Sequence, residues 1–165
     1  MKLYIMRHGP AEDQASSGRD EDRALTPSGR ERVRSVAKVL VASDEAPLSV
    51  VSSPLVRALQ TAEIVAAATK LSDRGGSVET RRDLAPGGPG ADLVKTLLRE
   101  DRKRVLLVGH EPDLSMLVGL LVGEPLPVPM DKAMVVGLSA KPAATALRFV
   151  LDPRALTFSI DLRTP

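Results

Sequence analysis

The sequence predicts a single α/β domain in which a mostly parallel central sheet lies between two layers of helices, a three-layer α/β/α sandwich. Helical and strand patterns alternate along the chain. The segment Arg104–Gly109 contains a Val-Leu-Leu-Val run that is apolar on both faces, as in a central parallel strand covered by helices on each side. The length of 165 residues suits one hydrophobic core, and residues 1–165 show no internal repeat or second domain.

The first strand–helix unit lies at the N-terminus. Residues 2–6 are apolar and predict a short strand, and the polar residues 10–25 predict a surface loop. Thr26 and Pro27 predict the N-cap and the first turn of a helix, because threonine can accept from a free helical N–H and proline fits the first turn. Apolar residues then recur at helical spacing, so this helix is expected to bury one face.

The second unit repeats this arrangement. Residues 48–51 predict a strand, and Ser53-Pro54 predicts the start of a second helix by the same combination of cap and proline. Residues 71–90 contain several Gly and Pro breakers and predict a loop, with a short strand at Ser77–Thr80 inside it. The remaining predicted elements are, in order, a helix over 91–100, a strand over 104–109, a helix opened by Pro112, a proline-rich loop over 124–129, and two strands over 133–138 and 145–151 joined by a turn at Lys141-Pro142.

The composition excludes several classes of protein. Without cysteine, the chain can form no disulfide, no catalytic thiolate and no cysteine-ligated zinc site. Aromatic residues make up 2% of the sequence and the formal net charge is +2, so no nucleic-acid partner is expected. No apolar segment is long enough for a signal peptide or a membrane span, and we expect a cytoplasmic protein without membrane contact. The sequence leaves the oligomeric state open.

Both histidines of the sequence stand where a predicted strand has just ended. His8 follows the strand at 2–6, and His110 follows the strand at 104–109. The carboxyl ends of parallel strands line the ligand crevice of an open sheet. The two imidazoles are therefore expected to face one pocket.

Two arginines accompany these histidines. Arg7 precedes His8, and Arg57 lies in the first turn of the second predicted helix, just past a strand. A pair of guanidinium groups suits a phosphoryl group, because each can donate two parallel hydrogen bonds to its oxygens. Two histidines without a cluster of further ligands make a poor metal site, so neither a metal nor another cofactor is expected.

Four segments of the chain resemble the histidine phosphatase superfamily, which includes the cofactor-dependent phosphoglycerate mutases. They occur in the order found in that family and span most of the chain. The segments are Met6-Arg7-His8-Gly9, Leu25-Thr26-Pro27-Ser28-Gly29, Ser52 to Ala62, and Gly109-His110-Glu111. The short length and the segment Asp83-Leu84-Ala85-Pro86 are most similar to the SixA-type phosphohistidine phosphatases.

The resemblance implies a phosphoglycerate mutase-like fold and a phosphoryl transfer in two steps. A neutral His8 attacks phosphorus and forms a phosphohistidine, which water then hydrolyses. The arginine of the first segment, Arg57 and a protonated His110 neutralise the phosphoryl oxygens. Gly9 and Arg23 are further candidates for substrate binding.

The general acid is the least defined part of this hypothesis. Asp83 precedes Gly87 by four residues, the interval at which the acidic glutamate of mutase-like relatives precedes a glycine, so Asp83 is the positional candidate. Glu12, Asp13 and Glu111 are alternatives. A poorly placed acid suits phosphohistidine, whose imidazole leaving group has a conjugate-acid pKa of about 6.5, better than an alcohol with a pKa of about 16.

The segment 71–90 lacks the insertions that enclose small metabolites in mutase-like enzymes, so we expect an open pocket that admits a phosphorylated protein. The prediction is a metal-independent phosphatase acting on phosphohistidine in proteins. Two alternatives stay open: a small-molecule phosphomonoesterase or mutase of the same fold, and a phosphate-binding module without catalysis. A nucleotide-binding protein is disfavoured, because the sequence has neither a Gly-x-Gly-x-x-Gly fingerprint nor a Walker-type loop.

Overall fold

The computed structural model describes residues 1–162, so the last three residues of the predicted domain 1–165 lie outside the described residues. Every predicted helix and strand is present, with predicted ends displaced by at most three residues. The strands within residues 1–162 are β1 (Lys2–Arg7), β2 (Ser49–Ser52), β3 (Val78–Thr80), β4 (Arg104–Gly109), β5 (Val135–Lys141), β6 (Ala144–Leu151) and β7 (Phe158–Ser159). The α-helices of the same region are α1 (Pro27–Ala42), α2 (Val56–Ala68), α3 (Gly90–Arg99) and α4 (Asp113–Val122).

All seven strands described form one sheet in the order β3-β2-β4-β1-β5-β6-β7. Strands β1 to β4 pair in parallel, whereas β5, β6 and β7 add antiparallel pairs on the far side of β1. Since β6 runs antiparallel to β5, it points the same way as β1, and five of the seven strands described share one direction. The sheet is therefore mostly parallel, as predicted.

Helices cover both faces of the sheet. Strand β1 alternates between them: Leu3 and Ile5 pack with α3 and α4, whereas Tyr4 and Met6 pack with α1 and α2. Strand β4 divides its apolar run in the same way, and these side chains are fully buried. The three-layer sandwich is thus confirmed, and its two cores explain why β4 is apolar on both faces. Within residues 1–162, none of the helices combines the length and the hydropathy that crossing a bilayer requires.

Helix α1 begins as the sequence predicts. The Thr26 hydroxyl accepts from the Gly29 N–H at 3.0 Å, and Pro27 takes the first helical position. A Cβ on Gly29 would stand 2.0 Å from the carbonyl oxygen of Pro10. The start of α1 therefore packs directly on the backbone that follows His8.

Helix α2 begins later than predicted. It starts at Val56, and Leu55 occupies the N-cap position without a side-chain hydrogen bond to the helix. The expectation of a cap at Ser53 is wrong, because the Ser53 hydroxyl contacts His110 instead. The sequence also gives no indication of β7 or of the short 3-10 helices at Asp20–Asp22, Ser72–Arg74 and Arg82–Leu84, which are too brief to show a periodic pattern.

Candidate active site

The two histidines meet at the carboxyl ends of adjacent strands. Arg7, the last residue of β1, pairs in register with Gly109, the last residue of β4, so His8 and His110 leave the sheet side by side. Their ring centroids are 5.2 Å apart at an interplanar angle of 52°. Both side chains are nearly buried, with 6% and 4% exposure respectively. The sequence expectation that the rings face one pocket agrees with this geometry.

The carbonyl oxygen of Gly9 sets the protonation of the His8 ring. It lies 2.7 Å from His8 Nδ1. A carbonyl can only accept, so Nδ1 carries the proton and Nε2 keeps its lone pair. The nitrogen left for chemistry is therefore Nε2.

Gly9 differs from its expected role in substrate binding. Its N–H donates to the Thr61 hydroxyl at 3.0 Å, and Thr61 donates in turn to the carbonyl of Arg57 at 2.8 Å. A Cβ at Gly9 would lie 2.6 Å from Val33 Cγ2. The residue therefore orients His8 and packs against α1, and its amide is already used.

His110 is held through the opposite ring nitrogen, Nε2. Its Nε2 lies 2.8 Å from the Ser53 hydroxyl, which also accepts from the Leu55 N–H at 3.3 Å. A hydroxyl donates once and accepts twice, so Ser53 can also donate its proton to Nε2, and in that arrangement the ring proton of a neutral His110 lies on Nδ1. Within residues 1–162 this buried Nδ1 has no hydrogen-bond partner.

Arg7 presents a second unpartnered donor. Its Nη1 donates to the carbonyl of Met130 at 2.7 Å, which anchors the guanidinium to the loop before β5. Its Nε is buried and, like His110 Nδ1, lacks a partner among the described residues. Buried donors in native proteins are almost always satisfied. Two such donors at the same rim of the sheet suit an anion with several acceptor oxygens.

Arg57 is buried in the first turn of α2 and is tied to the loop between β1 and α1. Its Nη1 donates to the backbone oxygen of Asp20 at 2.8 Å, and its Nη2 donates to Asp20 Oδ2 at 2.9 Å. Arg23 Nη1 donates to the other carboxylate oxygen, Asp20 Oδ1, at 2.7 Å. Asp20 thus bridges two arginines that the sequence marks as phosphate ligands. Hydrogen bonds from Arg23 and Arg57 hold the pKa of Asp20 below its usual value.

Both imidazoles are neutral near pH 7. Burial lowers the pKa of His8 from 6.5 to about 3, and the positive charges of Arg57 and Arg7 act in the same direction, although the hydrogen bond to the Gly9 carbonyl opposes the change. Burial, reinforced by Arg57, lowers the pKa of His110 to about 4, although the Asp20 carboxylate opposes this change. A neutral His8 agrees with the sequence hypothesis. A protonated His110 does not, because the free site disfavours a further positive charge.

Three of the four acidic residues considered as proton donors accept hydrogen bonds from other groups of the protein. Asp83 lies in the 3-10 helix Arg82–Leu84, and its carboxylate accepts from Arg81 Nε at 3.1 Å. Glu111 accepts from the Ser115 hydroxyl at 2.6 Å, and Glu12 accepts from the Ala24 N–H at 3.3 Å. The Arg81 pairing competes with a role for Asp83 as general acid, which stays a prediction. Among residues 1–162, no group of three or more metal-ligating side chains is placed to hold a metal ion.

Two residues of the site are missing from the sequence hypothesis. The sequence predicts a helix cap at Ser53 and gives no sign that it pairs with His110, and Asp20 is one of several acidic residues in a polar loop. The sequence offered one signal for Asp20, its position three residues before Arg23. That spacing becomes informative only when the loop is known to fold back onto Arg57.

Comparison with known proteins gives consistent matches. A sequence model of the histidine phosphatase superfamily, branch 1, matches residues 3–85. Phosphohistidine phosphatase SixA of Escherichia coli (strain K12) is 35% identical over 130 residues, which cover 77% of this chain and 75% of that protein. An uncharacterised protein of Picosynechococcus sp. is 39% identical over 118 residues, covering 70% of this chain and 69% of its own length.

Solved structures extend the similarity to almost the whole chain. The protein histidine phosphatase SixA in complex with tungstate superposes with a TM-score of 0.86 at 27% identity, covering 95% of this chain and 100% of that one. A mycobacterial glucosyl-3-phosphoglycerate phosphatase superposes with a TM-score of 0.67 at 22% identity, covering 88% and 96% of the two chains. The second similarity concerns the fold alone.

Proposed function

The chain belongs to the histidine phosphatase superfamily and has its phosphoglycerate mutase-like fold, and we propose that it hydrolyses phosphohistidine in proteins through a phosphohistidine intermediate on His8. The observation that carries the proposal is the hydrogen bond from His8 Nδ1 to the Gly9 carbonyl at 2.7 Å. It leaves a neutral imidazole with a free Nε2 lone pair beside a second histidine and two arginines. Such a ring can act as a nucleophile at neutral pH.

In the first step, the Nε2 lone pair of His8 attacks phosphorus, and the bond between phosphorus and the leaving nitrogen breaks. The proton stays on Nδ1, which remains hydrogen-bonded to the Gly9 carbonyl, so the phosphorylated ring carries a positive charge. The substrate's imidazole departs as a neutral molecule when its other ring nitrogen is protonated. This leaving group needs no strong acid from the protein, which is consistent with the pairing of Asp83 with Arg81.

Hydrogen-bond donors already present in the site can neutralise the negative charge on the transferring phosphoryl group. Arg7 Nε and His110 Nδ1 are the unpartnered buried donors of the site, and Arg57 adds a buried guanidinium. In an active site of this kind, one correctly placed donor contributes about a hundredfold to a thousandfold in rate. A bound phosphoryl dianion would also raise the proton affinity of His110, so a positive charge there belongs to the liganded state.

In the second step, water attacks the phosphorus of phosphorylated His8 and the P–N bond breaks. Orthophosphate takes the proton of the water, and the electron pair returns to Nε2. The positive charge of the phosphorylated ring makes it a good leaving group. The nucleophile is regenerated in the neutral form with which it began.

The proposal is tested by incubating the protein with ³²P-labelled phosphoramidate, quenching in alkali and mapping the label by mass spectrometry. We expect acid-labile, alkali-stable label on His8. His8→Gln should take up no label and lose at least about a thousandfold in turnover. His110→Gln keeps the nucleophile and should still be labelled, more slowly. Label on another residue, or unchanged turnover of His8→Gln, would exclude this mechanism.

A second experiment tests which class of substrate the protein prefers. Initial rates on a phosphohistidine peptide, p-nitrophenyl phosphate and a sugar phosphate should rank the phosphohistidine peptide first. The alternative is a small-molecule phosphomonoesterase or mutase of the same fold. A clear preference for the sugar phosphate would favour that alternative while leaving the His8 intermediate intact.

A further inference from the structure

A large apolar groove lies beside the catalytic histidines. Its volume is about 770 Å³, and it runs between the loop that contains Asp83, the start of α3, helix α4 and the loop after α4. His110 is part of its wall, so the groove opens onto the candidate active site. His8, Arg7 and Arg57 do not line it. The groove is therefore a neighbouring surface and not the phosphoryl pocket itself.

Helix α4 supplies the most exposed part of the groove. Met116 and Leu120 are each 69% exposed, although a leucine and a methionine at this spacing would normally be buried. They are four residues apart and therefore lie on one face of the helix. Methionine adapts its shape to different partners, and an exposed apolar strip of this kind is typical of an interaction surface.

We propose that this groove docks the apolar face of a helix in the phosphorylated protein substrate, an inference that rests on the proposed function. A protein that inserts a phosphoryl group beside His110 must cover the surrounding surface. A standard interface covers about 800 Å² on each partner, roughly a disc of 16 Å radius. Helix α4 rises about 1.5 Å per residue, so Leu120 lies roughly 11 Å along the axis from Asp113, inside that footprint.

The shape of the groove favours a protein over a small molecule. Its volume falls in the range of ligand pockets, but such pockets enclose most of their ligand. Here Met116 and Leu120 project outward and remain exposed at the rim. An amphipathic helix laid along a groove buries such residues through apolar side chains spaced three and four positions apart.

Charge at the groove defines the partner further. Asp83, Asp113 and Glu124 are among its lining residues. Asp83 is paired with Arg81, whereas Asp113 Oδ2 accepts from the backbone N–H of Gly87 at 2.8 Å and forms no ion pair among the described residues. The complementary partner is a helix whose apolar face is flanked by lysine or arginine.

The test uses two synthetic 16-residue peptides, each with one phosphohistidine. One has leucine three and four residues from the phosphohistidine and lysine at the flanks, and its twin has serine at the leucine positions. We expect the wild-type protein to hydrolyse the leucine peptide with at least a tenfold higher kcat/KM. The double variant M116Q/L120Q should lose most of that preference, while its kcat/KM for the serine peptide and for free phosphohistidine stays within twofold.

The matched control is V41Q/L48Q, which changes two exposed apolar residues at the opposite end of the domain, at the end of α1 and just before β2. It should keep the preference, and circular dichroism should show that both variants are folded. An unchanged preference in M116Q/L120Q, or no preference in the wild type, would overturn the inference. An equal loss of kcat/KM by M116Q/L120Q on 1-naphthyl phosphate would also overturn it, because the groove would then be assigned to a small apolar ligand. Absence of hydrolysis of every phosphohistidine compound would instead remove the proposed substrate class, and this inference with it.

Discussion

A carbonyl oxygen decides which ring nitrogen of His8 holds the proton, and a hydroxyl group is the hydrogen-bond partner of His110. The first belongs to Gly9, the next residue in the chain, and the second belongs to Ser53 on a neighbouring strand end. The two rings follow the ends of adjacent strands, yet each uses a different ring nitrogen for its hydrogen bond to the protein. His8 keeps a lone pair on Nε2, which the proposed attack on phosphorus requires, and a proton on Nδ1 would let His110 donate to a phosphoryl oxygen.

The protonation of the two rings can be measured directly, because the chain contains only two histidines. Their pKa values are lowered to about 3 and about 4, so both rings should stay neutral as the pH falls from 8 to 5. Imidazole ¹⁵N shifts recorded by NMR across this range should not titrate, and they should report a proton on Nδ1 of each ring.

Free imidazole in the same sample serves as the control and should titrate in the normal range. A midpoint near 6.5 for either protein histidine would contradict the buried, arginine-flanked environment described above. Addition of vanadate, a phosphate analogue, should raise the midpoint of His110, because the anion counteracts the positive charge of Arg57.

The four central site residues could be predicted, whereas their supporting partners could not. His8, Arg7 and His110 follow from strand ends, and Arg57 follows from a helix start beside a strand. Asp20 reaches the site only through the path of a polar loop, which no periodicity specifies. Ser53 satisfies the sequence rule for a cap, and the sequence does not show that His110 competes for its hydroxyl.

At the level of elements, the start of α1 and the loop after β1 act as one unit. Thr26 caps the helix, and its N–H donates to the Pro10 carbonyl at 3.0 Å. Gly29 brings the helix against the same carbonyl. The backbone that holds His8 and Gly9 therefore rests on the first turn of α1.

Gly29→Ala should weaken this contact. Alanine favours helix formation by about 1 kcal/mol over glycine, but its Cβ would stand 2.0 Å from Pro10 O, so helix or loop must move. We expect a net loss of about 1–3 kcal/mol in the free energy of unfolding and a lower kcat, because the shift is transmitted to Gly9. Urea denaturation and steady-state kinetics provide the two measurements.

Gly90→Ala is the matched control, since a Cβ at the first position of α3 meets Leu117 at an ordinary 3.4 Å. It should be neutral or stabilising. A Gly29→Ala protein as stable and as active as the wild type would show that α1 does not support the catalytic loop.

At the scale of the whole molecule, Glu45 links several strands at the end of the sheet opposite the candidate active site. Its carboxylate accepts from Lys2 and Tyr4 on β1, at 3.1 Å and 2.7 Å, and from Arg148 on β6 at 2.6 Å. Burial alone would raise the pKa of Glu45, but these hydrogen bonds outweigh it and lower the pKa from 4.5 to about 2. One side chain thus joins the central strand, the loop before β2 and the antiparallel half of the sheet.

Glu45→Gln should destabilise the protein without affecting catalysis. A pKa lowered by this amount corresponds to roughly 3 kcal/mol of stability. Because the folded-state pKa is the lower one, this contribution is complete above the unfolded value of 4.5 and is lost as the pH falls towards 2. The difference in free energy of unfolding between wild type and variant should therefore be large at pH 7 and less than half as large at pH 3.

The exposed Glu63 on α2 offers a control of the same chemistry, and Glu63→Gln should change the stability little at either pH. A Glu45→Gln difference that is independent of pH would indicate a packing effect instead of an ionic one. A loss of phosphatase activity in the folded variant would show that the two ends of the sheet are coupled.

The position of β1 has a consequence for how the protein is made. This strand is synthesised before both of its partners, which are residues 104–109 and 135–141. A nascent chain that ends before Met130 therefore exposes one edge of the strand that precedes His8, and the Met130 and Ala133 contacts to Arg7 and His8 are still missing. Phosphatase activity should consequently arise only after residues 130–141 have been synthesised, so that fragments ending before them are inert towards phosphorylated substrates.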